Sequence, residues 1–254
     1  MNRIDQLFKK KNRNVISVYF TAGYPRLNDT RKIIEHLEQQ GADMIEVGIP
    51  FSDPLADGPV IQKSSKAALE NGMSLKLLFY QLNGIRSKVK IPLLFMSYLN
   101  PVMQFGFSEF CRTAAATGID GLIIPDLPPE IYERDFKEMM ELNNLRNIML
   151  VSPTTRQERL RNVLKQSKGF VYMVSSNSTT GNDKDVSTNL EFVSRIKEIN
   201  QDVPVMVGFG IDSREKIRKV NHFANGAIIG SYFIKSLNGD LQENIETFMN
   251  RIKP

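Results

Sequence analysis

Two kinds of hydrophobic pattern alternate along the chain. Short runs rich in β-branched and aromatic residues, apolar at nearly every position, read as strands buried on both faces. Between them, apolar residues recur every three or four positions, the spacing of an amphipathic helix. The strand-like runs fall at residues 15–21 (VISVYFT), 44–47 (MIEV), 91–97 (IPLLFMS), 121–124 (GLII), 148–151 (IMLV), 170–174 (FVYMV), 205–207 (VMV) and 227–229 (AII). Ile4, Leu7 and Phe8 predict a short helix over residues 3–11. Asn28 or Asp29 is placed to cap a helix carrying Ile33, Ile34 and Leu37 that stops near Gly41. A short helix over 60–71 ends at Asn71-Gly72, and Ser74 caps the next, with Leu77, Leu78, Leu82 and Ile85. Ser108 is expected to cap a helix holding Phe110, Cys111, Ala114 and Ala115, closed by Gly118. Pro129 suits the first turn of a helix with Tyr132, Phe136, Met139 and Met140. Thr154 or Thr155 is expected to cap Leu160, Val163 and Leu164. Residues 175–188 are polar and glycine-containing and read as a mobile loop. Phe192, Val193 and Ile196 mark a helix after it, and Ser213 caps one with Ile217, Val220 and Phe223. Ile245, Phe248, Met249 and Ile252 mark the last.

Eight strand–helix alternations with no linker or composition break predict an α/β fold. The expected form is a single (β/α)8 TIM barrel over residues 1–254 with an extra N-terminal helix. The first turn, TAGYP, lacks the GxGxxG of a dinucleotide-binding sheet.

Composition narrows the class. No apolar run reaches the roughly 18 residues of a membrane span, and the N-terminus lacks a signal peptide's apolar stretch. The lone cysteine, Cys111, forms no internal disulfide and suits a reducing compartment. A cytoplasmic protein is expected. The two histidines, His36 and His222, are far apart and have no metal-ligand spacing, so no metal is expected. The net charge of +5 and pI near 9.2 are spread over helix faces, which argues against a nucleic-acid partner. Cys111 reads as core, the histidines as outer-ring residues and the Met139-Met140 pair as core filler.

Candidate chemistry centres on residues 43–62, DMIEVGIPFSDPLADGPVIQ. Glu46 is an acid inside an apolar strand, costly unless paired or functional. Paired with a buried Lys or Arg it is structural. At the carboxyl end of a barrel strand, its charged form is disfavoured and its pKa rises toward neutrality, which suits a group that gives and takes a proton. Asp57, in a proline-stiffened loop, is expected to be more exposed and to stay ionised, so that the two carboxyls divide roles. GFG at 208–210 and GS at 230–231 follow the last two strands. Each alone is an ordinary turn; together they sit where barrels bind phosphate with backbone N–H groups.

The run GIPFSDPLADGP, with YFTAGYP (19–25), EVGIPFSDPLADGP (46–59), MSYLNP (96–101), GLIIPDLP (121–128), GFVYMVS (169–175), TTG (179–181), VGFG (207–210) and IIGS (228–231), resembles the tryptophan synthase alpha subunit family over nearly the whole chain. The resemblance implies a lyase of tryptophan biosynthesis that cleaves indole-3-glycerol phosphate to indole and glyceraldehyde 3-phosphate. Glu46 matches its catalytic glutamate and Asp57 the aspartate that holds the indole N–H. Tyr19, Met96, Ile123 and Tyr172 match the indole pocket. Thr180 matches a loop threonine that bonds the catalytic aspartate, and Gly181, Gly208, Phe209, Gly210, Gly230 and Ser231 match the phosphate site. A beta subunit carrying pyridoxal phosphate is implied as partner in an alpha2-beta2 tetramer, with Pro50, Asp53 and Asn100 in the segments that meet it. This chain itself shows no cofactor motif. Many family members read RAGVTG where residues 176–181 are SNSTTG, a departure that bears on loop closure and not on the carboxyls.

Two other readings compete. Another sugar-phosphate barrel would ordinarily need a lysine or cysteine at a strand end, and strands one to three offer neither. A non-catalytic barrel that binds a phosphate ligand to activate a partner would have no need of both Glu46 and Asp57.

Overall fold

The computed structural model describes residues 1–174, 183–208 and 210–253. These build a closed barrel of eight parallel strands in sequence order, β1 pairing with β8. The strands are β1 Val15–Thr21, β2 Met44–Gly48, β3 Leu93–Met96, β4 Gly121–Ile123, β5 Arg146–Val151, β6 Val171–Val174, β7 Val205–Gly208 and β8 Gly226–Ile229. All eight predicted strands are present, with β3 trimmed at both ends.

The helices are α1 Arg3–Lys10, α2 Thr30–Gln39, α3 Pro59–Glu70, α4 Leu75–Leu82, α5 Leu99–Phe105, α6 Phe107–Thr117, α7 Pro129–Ile131, α8 Lys137–Leu142, α9 Gln157–Gln166, α10 Asp183–Ile199, α11 Arg214–Asn221, α12 Ser231–Ser236 and α13 Leu241–Ile252. A π-helical stretch, Tyr132–Phe136, joins α7 to α8. Ser74 and Ser213 cap as expected, their hydroxyls accepting from the Leu77 and Lys216 amides. Gly118 closes α6 in the left-handed conformation.

Several local expectations are corrected. Ser108 lies inside α6, whose N-cap is Gly106, because α5 runs almost directly into it. Neither Thr154 nor Thr155 caps α9. The Thr155 hydroxyl accepts from the Ser152 amide instead, closing a turn, and the helix starts after Arg156. Asp29 occupies the N-cap position of α2, yet no side-chain cap bond forms. Residues 183–188, read as loop, belong to α10; residues 175–182 lie outside the described residues. The short α5 and α12, each directly after a strand, have too few turns for a periodic signal.

Two cores result. The larger lies between the barrel wall and the helices, with Val18, Phe20, Ile33, Leu37, Phe95 and Phe110 at its heart. The smaller fills the barrel with Val15, Met44, Leu94, Ile123, Ile148, Phe170, Tyr172, Met206 and Ile228. Ile4 of α1 joins the inner core and plugs the N-terminal end. A Cβ at Gly121 or at Gly169 would come within 2.9 Å of it. Asn2 caps α1 and its amide donates to the Asp120 and Asn144 carbonyls, while Asp5 pairs with Arg146 at 2.6 Å. The chemistry is left to the opposite end. Cys111 is fully buried in the outer core, as expected.

Candidate functional site

Side chains alternate along each strand, so Ser17 and Tyr19 of β1 and Met44, Glu46 and Gly48 of β2 belong to one set. The register sets Tyr19 beside Glu46, Glu46 beside Leu94, Gly48 beside Met96, and Met96 beside Ile123. On the far wall Tyr172 stands beside Met206 and Val174 beside Gly208. Glu46, Tyr19, Tyr172, Met96 and Ile123 are thus gathered at the carboxyl half of the barrel.

Glu46 is wholly buried. Its Oε1 accepts a hydrogen bond from the Ser17 hydroxyl at 2.7 Å, and Oε2 has no hydrogen-bond partner among the described residues. Burial pushes the carboxyl up to about 7, and the Ser17 bond opposes that rise. The alternative of a structural acid paired with a buried base is not what the site holds: no Lys or Arg among the described residues pairs with it.

Asp57 is half-buried in the loop after β2. Burial lifts it to about 6, against a hydrogen bond from Tyr98. It is more exposed than Glu46, as expected, but the upward shift was not. A value near 6 still leaves it largely ionised at neutral pH. The loop is tied down from the turn after β3: the Tyr98 hydroxyl accepts from the Ala56 amide at 2.8 Å, and its ring lies 5.3 Å from that of Phe51.

The two tyrosines need glycine neighbours. A Cβ at Gly48 would overlap the Tyr19 hydroxyl, and one at Gly208 the Tyr172 hydroxyl. Gly208, expected as a phosphate residue, therefore also makes room for a ring of the pocket. Both phenols are held far toward their neutral form. Burial is the main cause for each, with Asp57 and Glu46 adding to it. These couplings show that Tyr19, Tyr172, Glu46 and Asp57 share one electrostatic environment.

The glycine segments lie at the same end. β7 ends at Gly208, Gly210 adopts a positive φ of 69°, and Gly230 is the N-cap of α12, with no side chain among the described residues bonding to that helix start. Ser231 opens the helix. Phe209, Thr180 and Gly181 lie outside the described residues. Of the expected interface residues, Asp53 and Asn100 are exposed, whereas Pro50 is buried within the chain. Leu55, in the Asp57 loop, is 94% exposed. Neither Ser17 nor Tyr98 stands out in the sequence; the alternation that aligns Ser17 with Tyr19 was the one available signal. His36 lies on α2 and His222 is the turn residue that closes α11, and the described residues hold no cluster of three or more His, Cys, Asp or Glu able to ligate a metal.

A closed (β/α)8 barrel with two carboxyls at its C-terminal mouth, one buried and poised near neutrality, is the frame of an acid–base enzyme. The model of the family "Tryptophan synthase alpha chain" matches residues 6–253, and the chain belongs to that family, whose members are lyases of tryptophan biosynthesis. It is 49% identical to the tryptophan synthase alpha chain of Flavobacterium psychrophilum, over 99% of this chain and 100% of that one. It is 48% identical to that of Christiangramia forsetii, over 100% and 99%. Among solved structures, tryptophan synthase from M. tuberculosis in its aminoacrylate-bound form superposes with a TM-score of 0.89 at 31% identity, covering 100% of this chain and 98% of that one. Tryptophan synthase subunit alpha from Legionella pneumophila gives 0.90 at 31% identity, over 100% and 97%. No helix of the described residues is long and apolar enough to cross a membrane.

Proposed function

We propose that this chain cleaves indole-3-glycerol phosphate to indole and glyceraldehyde 3-phosphate, with Glu46 as the acid–base residue. The observation that carries the reading is the buried Glu46 carboxyl, held near neutrality with one oxygen unpartnered among the described residues. Such a group is half-protonated near neutral pH and can act first as acid and then as base. Glu46 donates its proton to indole C3, and the ring nitrogen takes up positive charge. Ionised Asp57 accepts the indole N–H and stabilises that charge. The Glu46 carboxylate then removes the hydroxyl proton of the adjacent glycerol carbon. The carbon–carbon bond breaks, an aldehyde forms, and the electron pair returns to the ring, which is released as indole.

Tyr19, Met96, Ile123 and Tyr172 would line the indole pocket. Gly208, Gly210, Gly230 and Ser231 would hold the phosphate, together with Phe209 and Gly181, and Thr180 would bond Asp57 on loop closure. The uncapped start of α12 supports an anion there. The whole chain, residues 1–254, is read as one domain acting in the cytoplasm, without a cofactor of its own. Its partner would be a beta subunit bearing pyridoxal phosphate, in an alpha2-beta2 tetramer. Exposed Asp53, Leu55 and Asn100 support a contact surface beside the barrel mouth. Buried Pro50 would shape that surface from beneath.

Indole release from indole-3-glycerol phosphate, measured for wild type and Glu46→Gln with and without a beta subunit, tests the reading. Release that is lost in the variant while the ligand still binds is expected. No release from either protein, partner present, would overturn it and leave a phosphate-ligand-binding barrel that activates a partner.

A further inference from the structure

The Glu46 carboxyl has one hydrogen-bond partner among the described residues, and that partner is on the neighbouring strand. Ser17 pairs in register with Met44, one inward level below Glu46. The carboxyl therefore leans toward the floor of the barrel to meet the Ser17 hydroxyl, and both residues are fully buried. The nearer phenol, Tyr19, is not a hydrogen-bond partner of the carboxyl among the described residues. The Tyr172 hydroxyl is seated over Gly208.

We propose that Ser17 is the positioning residue of Glu46: it fixes Oε1 and leaves Oε2 as the oxygen that exchanges protons with the substrate. The proposal rests on the proton-transfer role given to Glu46 above. The ionisable groups coupled to the carboxyl among the described residues are Tyr19 on β1 and Tyr172 on β6, and Asp57 on the loop after β2 is coupled to both phenols. None of them is a cation. Ser17 is thus the described group that favours the carboxylate, and without it the carboxyl is free to rotate and is harder to ionise.

The test uses the full chain with its beta subunit and compares Ser17→Ala, Ser17→Thr and Glu46→Gln. The readouts are kcat and KM for indole release across pH, and the infrared C=O band of the Glu46 carboxyl, assigned by its loss in Glu46→Gln. In Ser17→Ala, kcat is expected to fall about tenfold with KM held within about twofold. The carboxyl titration and the alkaline limb of the kcat profile should both move up by about one pH unit. Ser17→Thr, which keeps the hydroxyl, should restore both. Should Ser17→Ala not fold, Ser17→Cys keeps the volume with a weaker donor and should give a smaller shift of the same sign. A carboxyl titration and kcat unchanged in Ser17→Ala, with Glu46→Gln inactive, would overturn the role of Ser17 and leave that of Glu46 standing. Full activity in Glu46→Gln would instead remove the proton-transfer reading, and the positioning role with it.

Discussion

Tyr98 holds Asp57 from the turn after the neighbouring strand, β3. Its hydroxyl accepts a hydrogen bond from the Ala56 amide and donates one to the Asp57 carboxylate, so one side chain fixes both the loop and the acid on it. Tyr98 is itself the N-cap residue of α5, anchored at the end of β3. Tyr98→Phe keeps the ring against Phe51 and removes both bonds. Asp57 is then expected to rise further above about 6, because the lost bond favoured its ionised form. The acid limb of kcat/KM for indole release should move up by roughly half to one pH unit. An unmoved acid limb would mean that Tyr98 only packs.

Glu46 makes the protein less stable as pH rises. Its folded pKa, about 7, lies above the ordinary carboxyl value of 4.5. Between those values the unfolded chain has released a proton that the folded chain still binds, so stability falls with pH there and levels off above. Glu46→Gln cannot ionise. It is expected to melt with a flatter pH dependence and to be more stable than wild type at pH 8 by roughly 2–3 kcal/mol. Urea denaturation at pH 4.5, 6 and 8 measures this, and parallel curves for the two proteins would refute it.

Gly48→Ala should destabilise by about 1–3 kcal/mol, because its Cβ lands 2.6 Å from the Tyr19 Cζ. Tyr19→Phe should not rescue it, since the ring carbons stay in place. Tyr19→Ala should, giving a favourable coupling energy in a double-mutant cycle of denaturation midpoints. Equal costs of Gly48→Ala in all three backgrounds would exclude the clash.

Asp120 serves stability alone. It accepts from Arg3 at 3.0 Å, from Arg86, and from the Leu93 amide at 2.9 Å, and it is almost fully buried at the floor of the barrel. Asp120→Ala strands the half-buried Arg86 guanidinium and is expected to cost about 3–5 kcal/mol. Specific activity per folded molecule should be unchanged, because the site is at the other end. Chemical denaturation and an assay of the folded fraction separate the two effects.

The barrel was legible because each strand is an unbroken apolar run and each helix between strands carries its own period. Glu46 was legible for the same reason: an acid is conspicuous among Met44, Ile45 and Val47. What failed to show was whatever depends on pairing across strands. Ser17 is an ordinary small residue in VISVYFT until the register brings it under Glu46. Tyr98 meets its partner amide 42 positions away. Ser108 and Thr155 look like helix caps because their side chains can cap, but α5 and a hydrogen-bonded turn claim those backbone positions. Asp57 was correctly read as the more exposed acid, and its pKa was missed because burial by a folded-over loop leaves no trace in local sequence.

The plug at the barrel floor also sets an order in time. The amide of Asn2 docks on carbonyls 118 and 142 positions further along the chain. A helix of 8 residues does not hold its shape alone in water. As the protein is synthesised, the segment around α1 must wait, undocked, until β4 and the residues leading into β5 have been made. The segment around Asn2 therefore settles only after those residues are in place, and its settling registers that they are.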